Sequence, residues 1–281
     1  MRDEPFRQSD LATALRPYQT VLGPYADRVS FAPLSAGIDT IPAAAFLDTS
    51  TLLRSLEAAA EQWRAPDICV AASLWNKHYN AAVLSGVLVA MTLGGIALNG
   101  SIANTSIIFD HGLPKALLLH DARGCVYQPR LAPTLVESHC GRPVATLPEL
   151  YEAVIATTFE GHIRPVIEQL HALTRISRQI LWGNVANLCA DLYDRLAQEP
   201  TLACLAHADR ALLLESGECP GLSGANPMCG AVWYERSAGS LVMSRVRQRC
   251  CLRYRLPEHA PCLKVCPLRH HEERDLSRVT S

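Results

Sequence analysis

Neither sign of charge is in excess along this chain. Its 26 Lys and Arg balance 27 Asp and Glu, the formal net charge is -1 and the sequence pI is about 6.8. That removes the global electrostatic signature of a nucleic-acid or anionic-membrane binder, so no nucleic-acid partner is expected. Also missing are a Gly-rich phosphate loop, a dinucleotide fingerprint and a Gly-x-Ser-x-Gly elbow. Without them the protein is not expected to bind a nicotinamide or flavin of its own through a familiar motif, and any electron it uses has to arrive from elsewhere. No internal repeat or low-complexity tract is evident. The opening Met-Arg-Asp-Glu-Pro-Phe-Arg-Gln-Ser-Asp has no apolar core followed by a cleavage site, so no export signal is expected.

The cysteines, eleven in all, are odd in number and scattered. With no export signal, this favours a reducing cytoplasm over a disulfide framework. One apolar run, Ala81 to Leu98, is long enough to consider as a membrane span. Its Gly94-Gly95 pair interrupts helix continuity and its many small residues suit close packing, so a buried helix of a soluble core is expected.

With 49% hydrophobic residues, the 281-residue chain can bury a substantial core. Ser9 or Asp10 could cap a short helix over Leu11 to Leu15. Leu52, Leu53, Leu56, Ala59 and Ala60 recur at helical spacing and predict a helix over Thr51 to Arg64, closed by Pro66. Thr105 to Asp110 and Lys115 to Asp121 flank His111-Gly112-Leu113-Pro114 and predict a hairpin, to which Cys125 to Arg130 would add a third strand. From Leu147 to Leu196 the signal is helical, entered at Leu147-Pro148-Glu149-Leu150, with Pro165 near the start of a new helix. The expected class is α+β: mainly helical, with a small antiparallel sheet and a C-terminal cysteine-rich segment. Residues 1–205 form the helix-rich part and 206–281 the C-terminal segment, packed on the first as one unit.

Several features have bland readings beside functional ones. The cluster Trp75, Asn76, Lys77, His78, Tyr79, Asn80 could line a pocket, although a lone His on such a helix is more often structural or solvent-facing. Trp182-Gly183-Asn184 reads as packing, with Asn184 or Asn187 satisfying a local backbone group. Cys219 and Cys229 could join a metal site, but the nine residues between them match no common knuckle. His270 and His271 could offer imidazole ligands, or belong to a solvated tail.

The stretch from Arg245 to Pro267 carries the chemistry. It places Cys250, Cys251, Cys262 and Cys266 close together in sequence. Four thiolates can hold a tetrahedral zinc or a small iron-sulfur cluster. The spacing argues for the cluster, because zinc knuckles use ligands two to about four residues apart whereas Cys250 and Cys251 are neighbours. If Leu241 to Leu256 is extended, Val246, Gln248, Cys250, Leu252 and Tyr254 face one way and Arg245, Arg247, Arg249, Cys251, Arg253 and Arg255 the other. For both thiols to be ligands the backbone must then bend between them. Nearby arginines, Arg247, Arg249, Arg253 and Arg255 among them, would favour the reduced form of a cluster that gains negative charge with its electron, or would form a solvated face.

Cys250-Cys251-Leu252-Arg253-Tyr254-Arg255-Leu256-Pro257, followed by Cys262, Cys266 and Pro267, resembles the 2Fe-2S-binding C-terminal segment of FhuF-type ferric-siderophore reductases. That family shows a Cys-Cys pair, ten residues, a Cys, two residues and a last Cys. Here ten residues separate Cys251 from Cys262 but three separate Cys262 from Cys266, a variant of the last pair. Trp182-Gly183-Asn184, and Asn226-Pro227 followed by Val232-Trp233-Tyr234, are similar to the family too. The resemblance implies an oxidoreductase of the cytoplasm, free or peripheral at the inner membrane, that reduces imported ferric siderophores of hydroxamate type. Cys250, Cys251, Cys262 and Cys266 would hold a 2Fe-2S cluster, and residues 1–205 would supply the siderophore-binding surface. An electron donor such as a ferredoxin or flavoprotein is implied, with transient contact to an inner-membrane siderophore importer. Two other classes stay open: a zinc-stabilised siderophore-binding or biosynthetic accessory protein, and an iron-sulfur electron carrier.

Overall fold

The fold is organised on one helix. The computed structural model describes residues 5–31, 38–131, 141–236, 243–257, 262 and 265–268. In it α1 (Gln8–Leu15), α2 (Gln19–Leu22) and α3 (Thr49–Trp63) precede α4 (Ile68–Gly94), a 27-residue helix whose N-cap Asp67 accepts from the Val70 N–H at 3.0 Å. Almost every side chain of α4 from Val70 to Gly94 is buried, as expected of a helix that is apolar all round. It ends where the glycine pair stands. Gly95 takes φ +64°, and a Cβ there would come within 2.8 Å of the Arg130 carbonyl carbon, so this cap needs glycine twice over. Among the described residues no helix is long and apolar enough to cross a membrane. Helix α1 starts at Gln8, which puts Ser9 and Asp10 inside its first turn rather than at the cap, and Asp10 pairs with Arg7 at 2.8 Å.

Two small sheets flank α4. Strands β1 (Val29–Phe31), β2 (Thr40–Pro42), β4 (Thr105–Asp110) and β5 (Leu113–Leu119) lie in the order β1-β5-β4-β2, with β1 parallel to β5 and the rest antiparallel. The expected hairpin is β4–β5. Its turn is two residues, His111 and Gly112, both at positive φ, the primed geometry that matches strand twist. Strand β6 (Gly124–Val126) does not extend this hairpin. Asn104 clamps the chain at Asp121 through side-chain bonds to its N–H and C=O and turns it away. Gly124 then approaches Ala97 so closely that β6 pairs with β3 (Ile96–Leu98) and, in parallel, with β7 (Arg142–Pro143). Strands β8 (Val232–Arg236) and β9 (Met243–Arg247) form a separate antiparallel pair.

The second helical stretch starts at a capping box: Thr146 accepts from the Glu149 N–H and Glu149 from the Ala145 N–H, opening α5 (Leu147–Val154). It continues without a break as a π-helix, Ile155–Ile163, and tightens into α6 (Arg164–Thr174), with Pro165, which has no N–H to give the preceding turn, at the change of pitch. Helices α7 (Arg178–Leu196) and α8 (Ala203–Leu214) complete the layer against α4.

The π-helix buries His162. Its Nδ1–H donates to the Gly100 carbonyl (2.8 Å), so Nε2 accepts from the Tyr79 hydroxyl (2.7 Å). Burial pulls its pKa down from 6.5 to about 4. Above pH 6.5 the histidine is neutral in both states. Below it the unfolded chain takes up a proton the folded one refuses, so stability falls as pH drops from 6.5 towards 4, by ~1.4 kcal/mol per pH unit and about 3 kcal/mol in all. Urea midpoints measured across this window should slope downward, and His162→Gln should flatten the slope; an unchanged slope would remove His162 as its cause.

A candidate metal centre at the C-terminal cysteines

Strand β9 lies across α7. Alternation along the strand sends Arg245 and Arg247 to the face that meets this helix, where residues 184, 191 and 194 share one side. Arg245 is held by Asp191 and Asp194, each at 2.7 Å. Arg247, only 2% exposed, donates from Nη2 to the Asn184 Oδ1 at 2.5 Å. Its Nε is buried with no hydrogen-bond partner, and no carboxylate pairs with it among the described residues.

Regular strand geometry stops at Arg247, so the extended run expected as far as Leu256 is not formed. Leu252 adopts φ +65° and a 3₁₀ turn follows at Arg253–Arg255. The arginines therefore do not share one face. Arg249 and Arg253 are exposed, and Arg255 reaches back to Asp67, the cap of α4, at 2.8 Å.

The bend sets Cys251 against α4 and beside Cys262. The Cys251 carbonyl accepts from the Ser73 hydroxyl at 2.9 Å; its Sγ lies 3.7 Å from the Cys262 Sγ and 4.0 Å from the Lys77 Nζ. The Cys250 Sγ accepts from the Leu252 N–H at 3.4 Å. The Arg247 N–H donates to the Val265 carbonyl at 3.1 Å, which fixes the second half of the segment beside the buried Cys266. A thiolate on any of the four cysteines would stabilise the Arg247 charge, against the burial that lowers its pKa. Burial pushes the Cys250 thiol up to about 11. Cys251 and Cys262 share a proton: the hydrogen bond from Cys262, helped by Lys77 and Arg247, holds Cys251 well below the usual thiol range, and the bond to Cys251 together with burial drives Cys262 up. As they stand, no three His, Cys, Asp or Glu side chains among the described residues are gathered tightly enough to hold a metal ion.

The polar cluster on α4 divides between two sides. Asn76 bonds Asn184, and Lys77 approaches Cys251, whereas Tyr79 serves His162. His78 lies against Trp63 with the rings tilted by 30° (5.3 Å between ring centroids) and lines a cavity of about 530 Å³ with Arg28, Gln62 and Lys115. Asn184 does more than satisfy a local backbone group: its Nδ2 reaches the Ser73 carbonyl at 2.9 Å on another helix. Ser73, Asn76, Lys77 and Asn184 were not readable as one set, although Ser73, Asn76, Lys77 and Asn80 form a polar stripe at three- and four-residue spacing on an otherwise apolar helix. Cys219 is buried, while Cys229 is exposed and bonds the Glu215 carbonyl. His270 and His271 lie outside the described residues.

The family described as "Ferric iron reductase FhuF-like transporter" matches residues 73–276, from the serine that holds the Cys251 carbonyl to beyond the last cysteine of the set. The chain belongs to the FhuF-like family. Comparison with curated proteins gives no match. Among solved structures, this FhuF-like chain is similar to ATP-bound aerobactin synthetase IucA from a hypervirulent pathotype of Klebsiella pneumoniae, with TM-score 0.60 and 14% identity over 80% of this chain and 50% of that one. It is similar to aerobactin synthetase IucC from the same source, with TM-score 0.52 and 16% identity over 69% of this chain and 37% of that one. Petrobactin biosynthesis protein AsbB from Bacillus anthracis str. Sterne gives TM-score 0.50 and 13% identity over 98% and 49%. The chain thus spans half or less of these proteins, and at such identity the likeness shows a shared fold.

Proposed function

We propose that this protein reduces a ferric siderophore, of hydroxamate type, and releases ferrous iron, with a 2Fe-2S cluster held by Cys250, Cys251, Cys262 and Cys266. The observation that carries the reading is Arg247. A buried guanidinium with no carboxylate beside it among the described residues, and with an unsatisfied Nε, is costly. An anionic group ligated by four thiolates beside it would supply the missing counter-charge. The donor set fits, being four sulfurs within the electrostatic reach of one cation. Membership of the FhuF-like family and a fold shared with siderophore biosynthesis proteins support a siderophore as ligand.

When bound, such a cluster supplies a one-electron couple. The chain's own part is electrostatic and positional: Lys77 and Arg247 favour added negative charge at the cysteines, and the exposed Arg249 and Arg253 offer cations to an anionic complex or to an electron-donor protein. The substrate chemistry follows from ligand hardness. Oxygen donors grip the hard ferric ion tightly and the softer ferrous ion weakly, so one electron loosens the metal and leaves the chelator intact. Anaerobic protein reduced with dithionite and freed of excess reductant, then mixed with a ferric hydroxamate and a ferrous-trapping dye, should yield about one ferrous ion per reduced cluster. A cluster that stays bleached after the ferric hydroxamate is added, with no ferrous ion trapped, would leave only an electron carrier. The fold shared with synthetases favours one second reading, a zinc-stabilised siderophore-binding or biosynthetic protein, for which the purified chain would be colourless and would bind the siderophore without reducing it.

A further inference from the structure

Helix α7 receives the two arginines of β9 differently. Arg245 meets two carboxylates and is neutralised, as a buried guanidinium ordinarily is. Arg247, two residues on and more deeply buried, meets a neutral carboxamide. That carboxamide is itself fixed. The Asn184 Nδ2 donates to the Ser73 carbonyl at 2.9 Å, to the Ser73 hydroxyl at 3.3 Å and to the Asn76 Oδ1 at 3.1 Å, and the same Ser73 hydroxyl holds the Cys251 carbonyl. Asn184, Ser73 and Asn76 are all buried, so nothing in this network is screened by water.

We infer that Asn184 is a positioning residue: it holds the Arg247 guanidinium at the cysteine site while leaving its charge uncompensated, so that the whole cation favours the reduced state of the cluster. The inference rests on the cluster reading above and goes beyond it by naming what sets the potential. An aspartate at 184 would bind the same guanidinium and cancel it. The exposed arginines act through water and contribute little by comparison.

The test uses full-length, anaerobically purified, cluster-loaded protein and an optical redox titration. Arg247→Gln should shift the reduction equilibrium at least tenfold towards the oxidised state, which is about 59 mV for one electron. Arg247→Lys, which keeps the charge, should recover most of the shift. Asn184→Ala should move the potential in the same direction with iron and sulfide content unchanged. The double variant Asn184→Ala with Arg247→Gln should move it no further than Arg247→Gln alone, because one residue acts through the other. An unmoved potential in Asn184→Ala, or two shifts that add, would overturn the inference. Should Asn184→Ala fail to retain its cluster, the same-sized Asn184→Asp decides: it should lower the potential at least as far as Arg247→Gln, and an unchanged potential sinks the idea. Wild-type protein without iron and sulfide would overturn the cluster reading and this inference with it. A loaded cluster whose potential ignores residue 184 would overturn this inference alone.

Discussion

Cys251→Ala is expected to empty the C-terminal site and leave the scaffold folded. The side chain removed is the one that touches both Cys262 and Lys77, whereas the anchor between this segment and α4 is made by the Cys251 backbone carbonyl and survives the change. Losing one of four thiolates should cost at least about 100-fold in cofactor retention, since even the partners behind metal ligands are worth 10- to 100-fold. Iron per chain should fall to background and ferric-siderophore reduction with it, while far-UV circular dichroism stays that of the wild type. Cys204→Ala and Cys229→Ala, at exposed thiols elsewhere on the chain, should change neither quantity. Full iron content in Cys251→Ala would remove this residue from the ligand set.

Asp209→Ala should give the largest loss of stability. Asp209 is fully buried on α8 and takes four contacts: Arg130 Nη1 on both oxygens at 3.0 Å, the Tyr151 hydroxyl at 2.6 Å and the Thr92 hydroxyl at 2.7 Å. Those partners come from α4, α5 and the segment after β6, so one carboxylate ties four parts of the chain around the end of α4. Removing it strands the buried Arg130, and breaking such a pair from one side costs about 3–5 kcal/mol. Asp209→Asn keeps the shape and should cost less. Urea midpoints of the two variants check the claim, and a loss below about 1 kcal/mol for Asp209→Ala would mean that water or another group replaces the carboxylate.

The sequence made legible what depends on local pattern. Leu52, Leu56 and Ala59 gave α3 its buried face, and the Gly94-Gly95 pair marked where α4 ends. His111-Gly112 marked the hairpin through its demand for positive φ, and the cysteine spacing isolated the C-terminal segment. What depends on partners far along the chain was not legible. The pairing of β6 with β3 is set by Asn104 and by the close approach at Gly124, and the π-helix around His162 has no periodicity of its own to betray it. By alternation alone Arg247 looked like Arg249 or Arg253. Its burial depends on Asn184, 63 residues away, and Asn184 depends in turn on Ser73 and Asn76 of another helix. A strand pattern could show which arginines share a face but not which of them is denied a carboxylate.

The central claim is that four cysteines beside Arg247 hold a 2Fe-2S cluster. Iron, acid-labile sulfide and zinc should be quantified together on the anaerobically purified full-length chain. The account predicts about two irons and two sulfides per chain and no zinc, in a coloured protein that bleaches on reduction. A colourless chain carrying one zinc and no sulfide would contradict it, and would make the cysteines a structural site.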